Sequence, residues 1–292
     1  MSIMTQLEFE LEFSQSEKQI AKYILNNGDH VLSMSIQELA TKTYTSPATI
    51  VRLCKKIGLE GYNDFKIKYS AELQYDLHRN DRLDINFPFS KEDSYPLITH
   101  KMATLYEEVI SDTVKLIDFN ELNKIVDLLY HHQIIDIYGA GNSLLAAMSF
   151  QHKMMRIGRD VNVKILHGGQ VFVSYNSNPQ KIALIISYSG ETHEMIQIAQ
   201  TLKEKKTPII VLTSIGDNHL SHYADYLLHI GSREKIFTKI APFASQISMD
   251  YLLNIIFSCL FQKDYDQNIQ TKISYDKKND SRHPLLSPIN ED

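Results

Sequence analysis

Cysteine is scarce in this sequence: Cys54 and Cys259 are the only two among 292 residues. Far apart and each within an apolar-periodic stretch, they form neither a disulfide framework nor a cysteine-built zinc site, and they fit buried thiols in a reducing compartment. An excess of positive charge is also missing. Thirty Lys and Arg against 35 Asp and Glu leave a net charge of -5 and a pI near 6.2, so a nucleic-acid site has to be a local patch. Apolar stretches such as Ile182 to Ile186 fall far short of the roughly 20 residues a bilayer span needs. Met1-Ser2-Ile3-Met4 opens no basic region followed by an apolar one, so no signal peptide is expected. These absences predict a soluble, cytoplasmic protein without a membrane partner. What is present is 43% hydrophobic and 22% charged residues, enough for a sizeable core, over a length of about two domains at roughly 150 residues each.

The first 75 or so residues carry helical periodicity only, as in Ile20, Tyr23, Ile24 and Ile36, Leu39, Ala40. Ser14 and Ser16 are alternative N-caps for a first helix that stops near Asn26-Asn27-Gly28, and Ser35 with Glu38 forms a capping-box pair. Ser46-Pro47 opens a helix running from Ala48 to Lys56, and another follows from about 63 to 77. Between 77 and 97, Asn80, Asp81, Asp84, Asn86, Pro88, Ser90 and Pro96 mark a linker, and a helix is expected over 97–116. From Phe119 the texture changes. Ile134–Tyr138, Val161–Leu166, Ile182–Ser187, Ile209–Thr213 and Tyr226–Ile230 are five short apolar runs, mostly β-branched, as in strands buried on both faces of a parallel sheet. Helical stretches near 143–157, 192–205 and 240–263 alternate with them, which predicts a doubly wound α/β/α domain with a five-stranded parallel sheet behind an all-α domain, an α+α/β chain. After Asp264 the sequence turns polar (Lys277-Lys278-Asn279-Asp280-Ser281), and a disordered tail is expected.

Residues 36–57 have the pattern of a helix-turn-helix, with Ala40 where the helices cross and Ile50, Leu53 and Ile57 facing inward. The outward face holds Thr49, Arg52, Lys55 and Lys56. Ser46, Thr49 and Arg52 stand where a recognition helix reads base edges, and Lys55, Lys56 and Lys68 where it neutralises phosphates. Five bases (52, 55, 56, 66, 68) face two acids (60, 64) here, against eight bases and nine acids over residues 1–75. An ordinary helical bundle with a solvated basic face has the same pattern.

Two strand-to-helix junctions carry the remaining chemistry. Gly139-Ala140-Gly141-Asn142-Ser143 lacks the third glycine and the acid of a dinucleotide fingerprint, and there is no P-loop lysine. It leaves a glycine turn, with Gly141 letting backbone approach a ligand and Ser143 at a helix N-terminus. Ser187-Tyr188-Ser189-Gly190-Glu191-Thr192 sets three hydroxyls around a glycine where a buried strand opens a helix, which suits a dianionic phosphate without a lysine. Plain N-capping by one serine is the competing reading. His131-His132 and His219/His222 lack the spacing or convergent acids of a metal site, so no metal and no cofactor is expected.

At these junctions the chain resembles the SIS (sugar isomerase) domain over about 119–262, through Gly-x-Gly-x-Ser and Ser-x-Ser-Gly-Glu-Thr. With the helix-turn-helix ahead of it, and the runs Ile36-Gln-Glu-Leu-Ala40, Ser46-Pro-Ala-Thr-Ile-Val-Arg52, Gly61-Tyr62 before Phe65-Lys66 and Ala224-Asp225, the whole is similar to an RpiR/MurR-type transcriptional regulator. The resemblance implies that Ser187, Ser189 and Thr192 hold a phosphate, with Gly190 and Glu191 in the same loop. It implies that Ser143 contacts the sugar and that Gln246, near Ala244-Ser245, belongs to the segment closing over it. The expected domains are 1–77 for DNA, 78–106 as linker and connecting helix, 107–265 for the sugar phosphate and 266–292 as polar tail. A carbohydrate-metabolism regulator, not an enzyme, is the reading that uses both halves. It would bind inverted-repeat operator DNA as a homodimer or higher homo-oligomer and respond to a phosphorylated sugar by linkage. A SIS-type sugar-phosphate isomerase, with Glu191 or His193 as base, leaves the basic helix unused. A protein that regulates a sugar kinase leaves Arg52, Lys55 and Lys56 unexplained.

Overall fold

The computed structural model of the chain describes residues 3, 6–7, 13–78, 83–166 and 168–279. The chain divides into two compact units, Met1–Thr104 and Leu105–Asp292. Asn80 and Asp81 of the expected linker, and 280–292 of the expected tail, lie outside the described residues.

The first unit is helical: α1 (Gln15–Asn27), α2 (His30–Ser33), α3 (Ile36–Lys42), α4 (Pro47–Lys56) and α5 (Tyr62–His78), followed by α6 (Tyr95–Lys115), in which the boundary falls. Of the two candidate serines, Ser14 is the cap and Ser16 lies inside α1. Its Oγ accepts the Glu17 amide at 3.4 Å and the Glu17 carboxylate accepts the Ser14 amide at 2.7 Å. Ser35 and Glu38 repeat the box on α3, and Ser46 Oγ accepts the Thr49 amide at 3.2 Å ahead of Pro47. Ile20, Ile24, Leu39, Ile50 and Leu53 are buried together with the ring ladder Tyr62, Phe65 and Tyr69. Between α3 and α4, Tyr44 adopts φ +51° while 95% exposed, a backbone region that disfavours side chains by about 1–2 kcal/mol. The helix-turn-helix holds it there because α3 and α4 must cross within four residues.

The second unit comprises α7 (Phe119–His131), β1 (Ile134–Gly139), α8 (Asn142–Met155), β2 (Asp160–Val163), α9 (Gly169–Tyr175), β3 (Lys181–Ile186), α10 (His193–Glu204), β4 (Ile209–Ser214), a 3-10 turn at Ser221–Tyr223, β5 (Tyr226–Ile230), α11 (Phe243–Lys263) and α12 (Tyr265–Asn279). All strands are parallel, in the order β2-β1-β3-β4-β5. The chain leaves β1 toward one edge and returns on the other side of it. That reversal opens a crevice beyond the C-terminal ends of β1 and β3, where ligands of such sheets bind. One core layer packs Ile137, Ala147, Phe150, Leu184 and Leu252, and the other Ile185, Ile198, Leu202 and Val211.

Three expectations need correction. The second strand stops at Val163, and Ile165 and Leu166 beyond it are exposed. β2 therefore runs out while β1 continues, and the buried Gln170 of α9 takes over as its neighbour. Gln170 Oε1 accepts the Gly139 amide at 3.0 Å and its Nε2 donates to the Gly139 carbonyl at 2.8 Å. A side-chain amide thus completes the ladder of a strand. Second, α11 is long and apolar enough by length and composition to cross a membrane, which a search for uninterrupted apolar runs overlooked. In this fold it buries Ala244, Met249, Leu252, Leu253, Ile256 and Leu260 against the sheet. Third, 265–279 form helix α12 instead of a disordered tail. The segment contains no Gly or Pro, buried Asn268 donates to the Phe261 carbonyl at 2.9 Å, and Arg156 holds both oxygens of Asp276 at 2.6 Å. Its polarity is that of a helix lying on the surface.

Replacing Gln170 by Leu keeps the volume and orphans a buried N–H and C=O, each costing about 1–3 kcal/mol. Urea denaturation should show the second unit destabilised by at least that amount for one group, with the first unit unaffected.

Candidate functional site

The crevice holds a cavity of ≈ 290 Å³. Ala140, Asn142 and Ser143 reach it from the first junction, Ser187, Tyr188, Ser189 and Thr192 from the second, and Lys239, Ser245 and Met249 from the chain that enters α11. Two helices, α8 and α10, begin at this cavity, and neither has a side-chain cap: Gly141 precedes α8 at φ +56°, and Thr192 at the N-cap of α10 makes no capping bond. The capped starts of α1, α3, α4 and α7 show the alternative. Helix starts without side-chain caps next to hydroxyls present donors that suit an anion. The hydroxyls are close-set: Ser187 Oγ lies 3.2 Å from Thr192 Oγ1, and Ser189 Oγ accepts the Glu191 amide at 3.2 Å.

Gly190 turns this loop at φ +67°, and a Cβ there would stand 1.9 Å from Asn218 Oδ1. The loop after β4 presses on it from outside. Glu191 points away from the cavity, accepting the His219 amide at 3.0 Å and meeting the His219 ring Nδ1 at 2.6 Å. Those two bonds hold its carboxyl below the usual range. Glu191 is a brace for the loop. His219 and His222, expected to lack acids, each meet one, Glu191 and Asp217, and among the described residues no three possible metal ligands cluster. Gln246 lines a neighbouring cavity of ≈ 330 Å³ with Tyr106, Leu145 and Phe243, and donates to Asp250 Oδ2 at 3.1 Å. It is separate from the hydroxyl cluster.

In the first unit, Ser46, Arg52 and Lys55 are exposed, and Thr49 is half-buried with its Oγ1 3.0 Å from Ser46 Oγ. Arg52 Nε donates to Glu17 Oε1 at 3.2 Å with its side chain 65% exposed. Lys56 donates to Glu17 Oε2 at 3.0 Å over the Phe13 ring, and Lys68 pairs with Asp64 at 3.0 Å. Burial opposes ionisation of Glu17, but the Ser14 amide and hydroxyl and the Lys56 ammonium outweigh it and hold the carboxyl at about 2. The stability from this ionised group is fully present above the ordinary glutamate pKa and is lost as pH falls from there through about 2.

Residues 1–76 match the family described as helix-turn-helix domain, rpiR family, and residues 128–254 match the SIS domain. An HTH-type transcriptional regulator of Caldanaerobacter subterraneus subsp. tengcongensis is 32% identical, over 90% of this chain and 91% of its own. The chain belongs to the rpiR family. As an rpiR-family member it is a DNA-binding transcriptional regulator with a SIS domain. A Clostridium perfringens HTH-type transcriptional regulator is 31% identical, over 94% of this chain and 97% of its own. Among solved structures, the Vibrio vulnificus NanR protein complexed with ManNAc-6P superposes with a TM-score of 0.60 at 26% identity, covering 96% of this chain and 99% of that one. The sugar isomerase domain of an RpiR transcription factor from Sphaerobacter thermophilus, at 14% identity, shares the fold over 61% of this chain and 98% of its own, with a TM-score of 0.55.

Sequence reading of this rpiR-family regulator missed Lys239 and Glu234. The Glu234 side chain is fully buried and accepts the Ala244 amide at 2.5 Å, the Ser245 amide at 3.1 Å, Ser245 Oγ at 2.6 Å and Lys239 Nζ at 3.0 Å. It thereby caps α11. Lys239 Nζ also lies 5.4 Å from the centroid of the Tyr188 ring, and Tyr188 OH donates to the Glu234 carbonyl at 2.7 Å. No local pattern marks these residues, because 231–242 is an irregular segment. A Gly190→Ala substitution should destabilise the second unit by roughly 1–3 kcal/mol through left-handed strain and the Asn218 clash. Chemical denaturation reads the loss, and Gly190→Asn should behave no better.

Proposed function

We propose that the SIS cavity binds a phosphorylated sugar, and that occupancy changes the affinity of the helix-turn-helix for its operator. The observation that carries this reading is the pair of uncapped helix starts, α8 and α10, opening on three hydroxyls in one cavity. The amides and hydroxyls donate hydrogen bonds to a phosphate, while Lys239 adds a cation at the rim. The NanR relative complexed with ManNAc-6P supports a phosphosugar as the ligand class. Ser143 at the opposite wall, 3.5 Å from Met249 Sδ, faces the space left for the sugar.

The same cavity favours a sensor over an isomerase. Isomerisation needs a base to move a proton beside the sugar carbonyl. Among the described residues lining the cavity there is no carboxylate or imidazole, and Glu234 nearby is occupied by four donors. The regulator acts in the cytoplasm as a homodimer, its two heads reading an inverted repeat with half-sites about one helical turn or a multiple apart. Arg52 contacts a base and Lys55 a phosphate.

A thermal-shift panel of sugar phosphates tests the cavity, since a ligand of the folded state alone raises the melting temperature. Ser189→Ala and Thr192→Ala should each lower calorimetric affinity for the best ligand at least about tenfold, as losing a bond to a charged group costs roughly 1.5–3 kcal/mol. That ligand should change operator affinity by about 5–150-fold. No shift with any phosphosugar, or steady conversion of one to an isomer, overturns the reading. Arg52→Ala should relax preference at one base per half-site, whereas Lys55→Ala should weaken binding to all sequences and flatten its salt dependence. Footprints without two-fold symmetry would contradict the dimer.

A further inference from the structure

Glu17 has more partners than a helix cap requires. Glu38 makes the same capping box with Ser35, and those bonds lie at the exposed surface. Glu17 is 1% exposed, and its carboxylate reaches across to α4 with both oxygens. Arg52 and Lys56 are four residues apart on that helix, so one buried anion grips two successive turns of it. The two cations are not held alike. Lys56 is held at its terminal ammonium by Glu17, 5.8 Å from the centroid of the Phe13 ring, with its side chain 32% exposed. Arg52 is tied only at Nε, the root of the guanidinium, and its side chain extends into solvent.

That geometry suits a reader of guanine. A bidentate contact to the guanine edge needs the planar guanidinium fork presented in one orientation. A bond at Nε fixes the plane and leaves the two terminal nitrogens directed outward. Neutralising Lys56 also subtracts a charge that would otherwise attract any phosphate backbone, whatever its sequence.

We infer that Glu17 is a positioning residue for DNA specificity: it orients Arg52 toward a base and keeps Lys56 out of the phosphate-binding set. This rests on the reading of Arg52 as a base contact, and it removes Lys56 from the residues expected to neutralise phosphates. The sequence offered no hint of it, because Glu17 and Arg52 are 35 residues apart.

The test compares affinity for the duplex that the wild-type full-length protein enriches from a random-sequence library with affinity for a scrambled duplex, across a salt series. Glu17→Gln keeps an acceptor for the cap and removes the charge. The ratio of the two affinities should fall at least fivefold, scrambled-duplex affinity should hold or rise, and the salt dependence should steepen as Lys56 is released. In an Arg52→Ala background the same substitution should leave the ratio where Arg52→Ala put it. Glu17→Asp, which retains the charge but shortens its reach, should lower the ratio too and serves if the glutamine variant does not fold. Equal loss of affinity for both duplexes would assign Glu17 a merely structural role and overturn the inference. So would an unchanged ratio in the Glu17 variants while Arg52→Ala lowers it. An unchanged ratio in Arg52→Ala would instead sink the base-contact reading, and this inference with it.

Discussion

The reversal of strand order between β1 and β3 is the constraint on which the second unit depends. It sends two chain segments away from each other at the C-terminal ends of adjacent strands, so the starts of α8 and α10 share one crevice. Leaving both without side-chain caps brings two helix starts to the same small volume, although the Ser143 and Leu144 amides of α8 turn back onto the Ala140 and Gly141 carbonyls. The partial positive charge of a helix start favours an anion placed against it. The strand that could have covered the first junction, β2, ends early, and Gln170 substitutes for it on both polar groups of Gly139. The end of β1 is thus fixed by a side chain, whereas the hydroxyl loop is fixed by the pressure of Asn218 on Gly190 and by the Glu191–His219 pair.

A buried carboxylate has a comparable organising part in each unit. Glu17 unites the start of α1 with the outward face of α4. Glu234 unites the irregular segment 231–242 with the start of α11 and carries Lys239 to the cavity rim. Every partner of the two acids is a donor or a cation, the condition under which a buried charge is tolerated. Each connects an element that makes the fold to a cation, exposed in Arg52 and largely buried in Lys239.

Ligand sensing by an rpiR-family regulator requires that the phosphosugar prefer one arrangement of the protein over another, since equal affinity for both would shift nothing. The segment 231–242 is well suited to report occupancy. It has no regular secondary structure, yet Tyr188, Lys239 and Glu234 tie it to the hydroxyl loop on one side and to α11 on the other. Glu234 accepts Lys239 as well as the Ala244 and Ser245 amides, so the cation at the cavity and the start of α11 share one carboxylate.

Sequence alone was enough for the longer helices of the first unit, since Ser35/Glu38 and Ser46-Pro47 are local signals whose partners lie within four residues, but it left Ser14 and Ser16 as alternative caps and did not mark the short α2. It was enough for the five parallel strands and for the hydroxyl loop, because a buried β-branched run followed by Ser-x-Ser-Gly-Glu-Thr is read within one strand-helix junction. It failed wherever the deciding partner was distant. The early end of β2 depends on Gln170, the helical state of 265–279 on Arg156 and Phe261, and the burial of α11 on the sheet it covers. The roles of Glu191, Lys239 and Lys56 turn on His219, Glu234 and Glu17. Local propensity and periodicity determine which segments become helix or strand, because those energies are set by neighbours in the chain. Which charges face a ligand, which brace a loop and which are neutralised is decided only once folding brings residues tens of positions apart within hydrogen-bond reach.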